Sequence, residues 1–345
     1  WPPVAAVIPA RDEADTIADA VGSLVAQDYP GELTVFVVDD NSSDGTGEIA
    51  RAVSSARVKV DVIDGKPLPG GWTGKMWAVA QGTERAAKVL PAARYILFTD
   101  ADIAHGSDKV RRLVSKAEAE SLDLVSLMVR LRCASLWERL LIPAFVFFFQ
   151  KLYPFRWVND PRRAAAAAAG GCMLVRKSAL NRVGGISRIR DKVIDDCSLA
   201  GAIKPGGPIW LGLAEQSHSL RGYDGLSGIW NMVARTAFTQ IRYSPLLLVG
   251  TVLGMAVLYL APVVAPLMEN DPLILIAGLS AWLAMAAAYA PMLRHYGVPV
   301  FSGLVLPFIA ALYTAMVIAS AWRTWHGRGA AWKGRTYEPV ATNHE

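Results

Sequence analysis

After Pro245 the chain carries three apolar segments, Leu246–Met268, Leu273–Leu293 and Val298–Trp322, each near the ~20 residues that span a bilayer. Their connectors, 269–272 and 294–297, are tight, as in a hairpin bundle. A buried soluble core would require three all-round apolar helices with no polar face, so the segments are expected to lie in a membrane. They account for much of a composition that is 53% hydrophobic, with a mean hydropathy of +0.29. Whatever chemistry the chain performs must therefore be built in the more polar residues before 245.

Those residues alternate. Short apolar runs at Val4–Ile8, Leu33–Val38, Val58–Ile63, Tyr95–Thr99 and Leu124–Val129 read as buried strands. Between them, Asp12–Gln27, the stretch after Ser43-Asp44, Thr73–Val89 and the stretch after Ser107 have helical spacing. Such alternation predicts βαβ units, an α/β domain and a parallel sheet. Leu136–Phe155 differs, with an aromatic face, flanking cations (Arg139, Lys151) and Pro143 near its middle. It reads either as an interfacial amphipathic segment or as a core helix of the domain.

Two strand ends carry acids: Asp39-Asp40 before Asn-Ser-Ser-Asp-Gly, and Asp100-Ala-Asp102. In an open α/β sheet this is the edge where ligands bind. Asp100 and Asp102 suit a hard divalent cation that also grips a diphosphate. Asp39 and Asp40 suit recognition of a base and ribose; the alternative, a helix-capping turn, is already served by Ser43 and Asp44. Pro69-Gly-Gly-Trp-Thr-Gly-Lys75 fails the P-loop pattern, because Pro69 stands in place of the first Gly and Met76 in place of Ser/Thr. A Gly-rich turn at a helix start still offers amides and Lys75 to an anion. Asp195-Asp196 sits in a helical pattern beside an apolar face and suits a general base acting on an acceptor hydroxyl. Gly170-Gly171-Cys172 either lets an acceptor approach the backbone or is a plain turn into a strand. His218 reads as a phosphate contact or a structural polar histidine. Arg242 either reaches the diphosphate or anchors at headgroups. The Ala164–Ala169 run carries no chemical signal of its own.

The formal charge is +5, and next to apolar spans a basic surface points to a membrane rather than nucleic acid, for which no module pattern is present. The three cysteines (Cys133, Cys172, Cys197) lie far apart without C-x-x-C, so they read as reduced thiols and suit a cytosol-facing domain. The chain begins at Trp1, which leaves a preceding span or signal open. Three full crossings from a cytosolic domain would put the tail outside, yet Arg323, Arg328, Lys333 and Arg335 favour the inside. Either one segment is re-entrant, with Pro299 and Pro307 marking the last, or the charge rule is overridden. The expected division is thus 1–244 catalytic, 245–322 membrane helices and 323–345 basic tail.

Taken in order, Val7-Ile-Pro9-Ala-Arg11-Asp-Glu13, Val38-Asp-Asp-Asn-Ser42, Gly71-Trp-Thr-Gly-Lys75, Asp100-Ala-Asp102 and Asp195-Asp196 resemble the motif set of family-2 glycosyltransferases. With the three spans, the chain is most similar to the hopanoid-biosynthesis-associated members, with ceramide and carotenoid glycosyltransferases as cousins. The resemblance implies a GT-A fold (a Rossmann-like nucleotide-diphospho-sugar transferase domain) followed by a transmembrane region. It implies a nucleotide-sugar donor, UDP-linked, bound by Pro9, Arg11, Glu13, Asp39, Asp40, Lys75, Asp100 and Arg242. It also implies Mg2+ or Mn2+ at Asp100 and Asp102, with Asp196 as the base of one inverting displacement onto a membrane lipid hydroxyl. Two departures stand out. Thr239-Gln-Ile-Arg242-Tyr243 replaces the Gln/Arg-x-x-Arg-Trp of membrane relatives, which weighs against a processive polymer synthase. Asp195-Asp196 replaces Glu-Asp, which leaves the choice between the two less secure. A polyprenyl-phosphate sugar transferase and a catalytically silent assembly partner are the competing readings. A transporter has little support, because the spans lack internal charge.

Overall fold

The computed structural model describes residues 1–269, 271–327, 331–332 and 335–336. Arg328 and Lys333 of the expected basic tail lie outside the described residues, as does the side chain of Arg335. The chain divides into two units, one of residues 1–131 and 153–222, the other of 132–152 and 223–345. The boundary expected at 244/245 therefore falls inside the second unit.

The first unit is built on one eight-stranded sheet. Its strands are β1 (Val4–Ala10), β2 (Leu33–Asp39), β3 (Lys59–Asp64), β4 (Tyr95–Phe98), β5 (Ile103–His105), β6 (Leu124–Arg130), β7 (Met173–Arg176) and β8 (Ile209–Ser219). The spatial order is β3-β2-β1-β4-β7-β6-β8-β5. β1 and β4 are buried along their whole length and β2 up to Asp39, as continuous apolar strands covered on both faces should be. The sequence predicts a parallel sheet, and the sheet that forms is mixed. β3-β2-β1-β4 and β6-β8 are parallel, but β7 runs antiparallel between β4 and β6, and β5 antiparallel to β8. The sheet is mixed because the chain reaches β7 through a long excursion rather than a single crossover helix, which leaves strand direction unconstrained.

Helices α1 (Ile17–Val25), α2 (Thr46–Ala52), α3 (Gly74–Val89) and α4 (Lys109–Ala119) follow the strands in turn. Gly82 sets the seat of α3 on the sheet: a Cβ there would lie 2.6 Å from Val7 Cγ1 and 3.0 Å from Val38 Cγ2. The order reverses beside β1, where β2 lies on one side and β4 on the other, and this is where an α/β sheet opens a ligand crevice.

The second unit contains α5 (Leu136–Leu152); the short α6 (Phe155–Val158), α7 (Lys177–Arg182) and α8 (Asp195–Ile203) return to the first. α5 is a packed helix of the second unit, burying Leu141, Ile142, Ala144 and Val146 and leaving Leu136 and Leu152 exposed. A capping box starts it, with Ser135 Oγ accepting from the Glu138 amide and Glu138 accepting from the Ser135 amide (3.2 and 2.8 Å). Glu138 also accepts from the Tyr223 amide, just before α9 (Gly225–Ala234). After α10 (Ala237–Gln240) come α11 (Pro245–Met255), α12 (Ala261–Met268), α13 (Pro272–Tyr296) and α14 (Leu306–Trp325). Three helical stretches, Pro245–Met268, Pro272–Tyr296 and Val300–Trp325, are long and apolar enough to cross a membrane. The first contains a π-helical stretch, Ala256–Leu260, ending two residues before Pro262, whose ring and missing N–H disturb the preceding turn. An aromatic cluster ties the unit together: Phe147 on Tyr289 (5.0 Å), and Phe148 on Tyr313 and Tyr259 (5.0 and 5.7 Å).

Candidate active site

Strand ends on either side of the order reversal deliver the acids. Asp39 closes β2 and its carboxylate accepts from the Ser42 amide (3.0 Å). Asp40 is fully buried, with its carbonyl taking the Arg11 guanidinium and its Oδ2 3.8 Å from the same group. Asp12 and Asn41 both adopt left-handed backbone (φ +50° and +55°), the conformation that short polar side chains tolerate best. The two loops brace each other. Ser43 donates its amide to Asp12 (2.8 Å), Asp12 its amide to Ser42 Oγ (3.0 Å), Ala14 to Asp44 (2.9 Å) and Glu13 to Thr46 Oγ1 (2.8 Å).

Lys75 is the second residue of α3, whose first turn is capped by Thr73 accepting from the Met76 amide (3.3 Å). Its ammonium lies 2.9 Å from Asp100 Oδ1 and 3.2 Å from Asp195 Oδ2, one-fifth exposed. Burial alone would lower the Lys75 pKa; Asp100 and Asp195 overcome it and push it well up, so the side chain stays cationic. Asp195 and Asp196 open α8. Asp196 accepts from the Gly170 amide at Oδ2 (2.9 Å) and the Cys197 amide at Oδ1 (2.7 Å). Burial and the neighbouring Asp195 charge nevertheless raise its pKa to about 6. A small cavity is lined by Pro9, Lys75, Thr99, Asp100, Gly170 and Asp195.

Arg221, which sequence reasoning passed over, ion-pairs with Glu13 and donates to Asp102 Oδ2 (2.7 Å). Only its place three residues after His218 in a polar stretch could have drawn attention to it. Also missed is a buried relay. Ser217 Oγ meets His105 Nδ1 (3.0 Å), His105 Nε2 meets Thr99 Oγ1 (2.9 Å), and Thr99 donates to the Gly171 carbonyl (2.8 Å). The relay joins the residue before Asp100 to the loop that holds Asp196.

Of the acceptor set, Gly170 lines the cavity, but Gly171 packs against Val129 and Cys172 is wholly buried in the core. Burial pushes the Cys172 thiol up to about 12, and its side chain fills the core. His218 lies on β8, paired with Ala104 of β5. Arg242 belongs to the second unit, in left-handed backbone (φ +56°).

Among the described residues no group of three or more His, Cys, Asp or Glu is arranged to hold a metal. The pair expected from the sequence, Asp100 and Asp102, supplies two carboxylates, and Mg2+ is commonly held by one or two carboxylates with substrate phosphates completing the shell. The charge balance favours such an ion. Among the described residues, the acids Glu13, Asp100, Asp102, Asp195 and Asp196 lie around the cations Lys75 and Arg221. Burial and the Asp100 charge raise the Asp102 pKa, as expected where negative charge is under-compensated.

The sequence model of glycosyl transferase family 2 matches residues 5–184. The chain is similar to the succinoglycan biosynthesis protein ExoO of Rhizobium meliloti (strain 1021), 33% identical over 158 residues, 42% of each chain. It is also similar to the glycosyltransferase AglE of Haloferax volcanii, 28% identical over 125 residues, 36% of this chain and 38% of the relative. It thus spans less than half the length of these curated relatives. Among solved structures, the mannosyltransferase PcManGT from Pyrobaculum calidifontis, in complex with GDP-Man and Mn2+, superposes with a TM-score of 0.56 at 20% identity, over 94% of this chain and 87% of that one. The likeness shows the fold, a GT-A, Rossmann-like α/β domain.

Proposed function

This chain belongs to glycosyl transferase family 2, and from that premise we propose that it moves one sugar from a UDP-sugar to a hydroxyl of a membrane lipid, with inversion. The observation that carries this reading is the placement of Lys75 between Asp100 and Asp195, beside the Gly170–Asp196 pair. Donor-side and acceptor-side chemistry thereby share one ion-paired cluster.

In this mechanism Asp39 and Asp40 hold the base and ribose, with Pro9, Arg11 and Glu13 shaping the donor mouth, and Arg242 is assigned to the diphosphate from sequence. Asp100 and Asp102 would hold Mg2+ or Mn2+, which would supply Lewis-acid stabilisation of the leaving diphosphate. Asp196 takes the proton of the acceptor hydroxyl as its oxygen attacks the anomeric carbon. The bond from that carbon to the phosphate oxygen breaks, and its electron pair leaves with the diphosphate. Lys75 supplies a fixed positive charge to that leaving group. The two backbone amides on Asp196 hold the base in place, and Gly170 keeps the approach to it free of a side chain.

The three helices able to cross a membrane support a lipid acceptor. A hopanoid is the acceptor that the sequence resemblance favours, in a cytoplasmic membrane with the site facing the cytosol. The test is UDP release by the purified full chain in detergent with Mn2+ and a panel of UDP-sugars, with hopanoid, ceramide or polyprenyl phosphate as acceptor. Acceptor-stimulated release that disappears in Asp102→Ala and Lys75→Met supports the transferase and names its lipid. Absence of both release and metal-dependent UDP binding would leave a silent assembly partner.

A further inference from the structure

The turn that links α5 to the catalytic cluster is built unlike an ordinary surface loop. α6 and the residues after it, 155–163, present Trp157 half exposed, with Arg156 and Arg163 exposed and the Arg162 side chain 88% exposed. The Arg163 guanidinium lies 5.6 Å from the centre of the Trp157 ring. Within residues 155–163 the one acid is Asp160, bound by Arg162 at 3.0 and 3.2 Å.

The backbone beneath this surface is fixed. The Lys204 ammonium donates to the carbonyls of Trp157 (3.2 Å), Val158 (2.7 Å) and Ala165. The Asn159 side chain brackets Leu211, donating to its carbonyl (3.0 Å) and accepting from its amide (2.7 Å). The alanine run that follows is laid into the domain rather than left free. Ala167 and Ala168 are fully buried, and the amide and carbonyl of Ala169 both meet Ser126 Oγ (2.8 and 3.2 Å). Methyl side chains let this strap lie close to its neighbours. It runs without interruption from Arg163 to Gly170, whose amide holds the proposed base.

A rigidly held, half-exposed tryptophan among arginines gains nothing from water. It matches the polar–apolar boundary of a bilayer, where an amphipathic ring and cations are each favourable. We propose that residues 155–163 form a headgroup hook, in which Trp157 lies at the membrane interface and Arg156 and Arg163 take the phosphate of an anionic phospholipid. This rests on the reading that the C-terminal helices lie in a membrane. The charge of the turn selects an anionic headgroup over a zwitterionic one, and the strap fixes the distance between that headgroup and the acceptor site.

The test uses the full chain in vesicles of phosphatidylcholine with or without phosphatidylglycerol, and the difference in fluorescence between the wild type and Trp157→Phe, which isolates this ring. The Trp157 component is expected to be quenched by brominated phosphatidylglycerol and shielded from iodide in the water. Arg156→Gln with Arg163→Gln is expected to lose that quenching. The double variant should weaken the preference for phosphatidylglycerol over phosphatidylcholine among co-purified lipids by roughly thirty-fold, at about five-fold per near-surface basic residue. Quenching by iodide but not by brominated lipid, or lipid quenching indifferent to the arginines, would overturn the hook alone. A chain released from the vesicles by alkaline carbonate would overturn the membrane reading together with it.

Discussion

Asp196 is drawn two ways at once: amides from Gly170 and Cys197 favour its ionised form, while burial and Asp195 oppose it. A base must be ionised, so kcat/KM for the transfer is expected to fall about ten-fold per pH unit below about 6 and to level above it. A pH–rate profile on the free enzyme checks this, and Asp196→Asn should lower kcat/KM by roughly 10²- to 10⁴-fold. A plateau running unbroken well below pH 6 would rule out this residue as the base. His105 titrates in the opposite sense. Burial, then Lys109 and His218, hold its pKa near 3 against an ordinary 6.5, so the fold keeps it neutral. Its contribution to stability is present above pH 6.5 and is lost as pH falls towards 3. Thermal unfolding of His105→Gln should therefore depend less on pH between about 6.5 and 3 than that of the wild type. Asp39, Asp40, Asp100 and Asp102 were legible as acids at strand ends, and Asp195-Asp196 as an acidic pair in a helical pattern. Arg221, Ser217 and His105 were not, because each works through partners more than a hundred residues away or across the sheet, and no local pattern marks such a meeting.

At the scale of elements, the seat of α3 on β1 and β2 determines where Lys75 stands, since the helix carries it at its first turn. Gly82→Ala would drive a methyl group into Val7 and Val38. It should destabilise the domain by about 1–3 kcal/mol and weaken UDP binding, although residue 82 lies two turns from Lys75. Chemical denaturation with titration of UDP separates the two effects, and an unchanged midpoint would show that the helix shifts freely. The strands, and the helices between them, were legible because apolar runs and helical spacing are local. The reversal of β7 was not, since four residues, Met173–Arg176, read the same in either direction and only their neighbours β4 and β6 decide it. α5 was ambiguous for a related reason. An apolar, aromatic face suits lipid and protein partners equally, and the partners it found in α9, α13 and α14 all lie beyond residue 222.

For the molecule as a whole, the two units are interleaved along the chain, which crosses from one to the other after residues 131, 152 and 222. A fragment ending at residue 244, the boundary the sequence suggests, keeps α5 but removes α13 and α14. It should aggregate or require detergent, whereas the full chain should stay with membranes through an alkaline carbonate wash; fractionation of both checks this. A freely soluble, monomeric 1–244 would mean that α5 needs no cover from those helices. The same interleaving sets a timetable during synthesis. α5 leaves the ribosome while the first unit still lacks β7 and β8, and long before α9, α13 and α14 exist. For that interval an apolar helix stands without its helical partners, so the nascent chain must lodge it in lipid or on a chaperone. Translation speed over residues 153–222 then governs how long that exposed intermediate lasts.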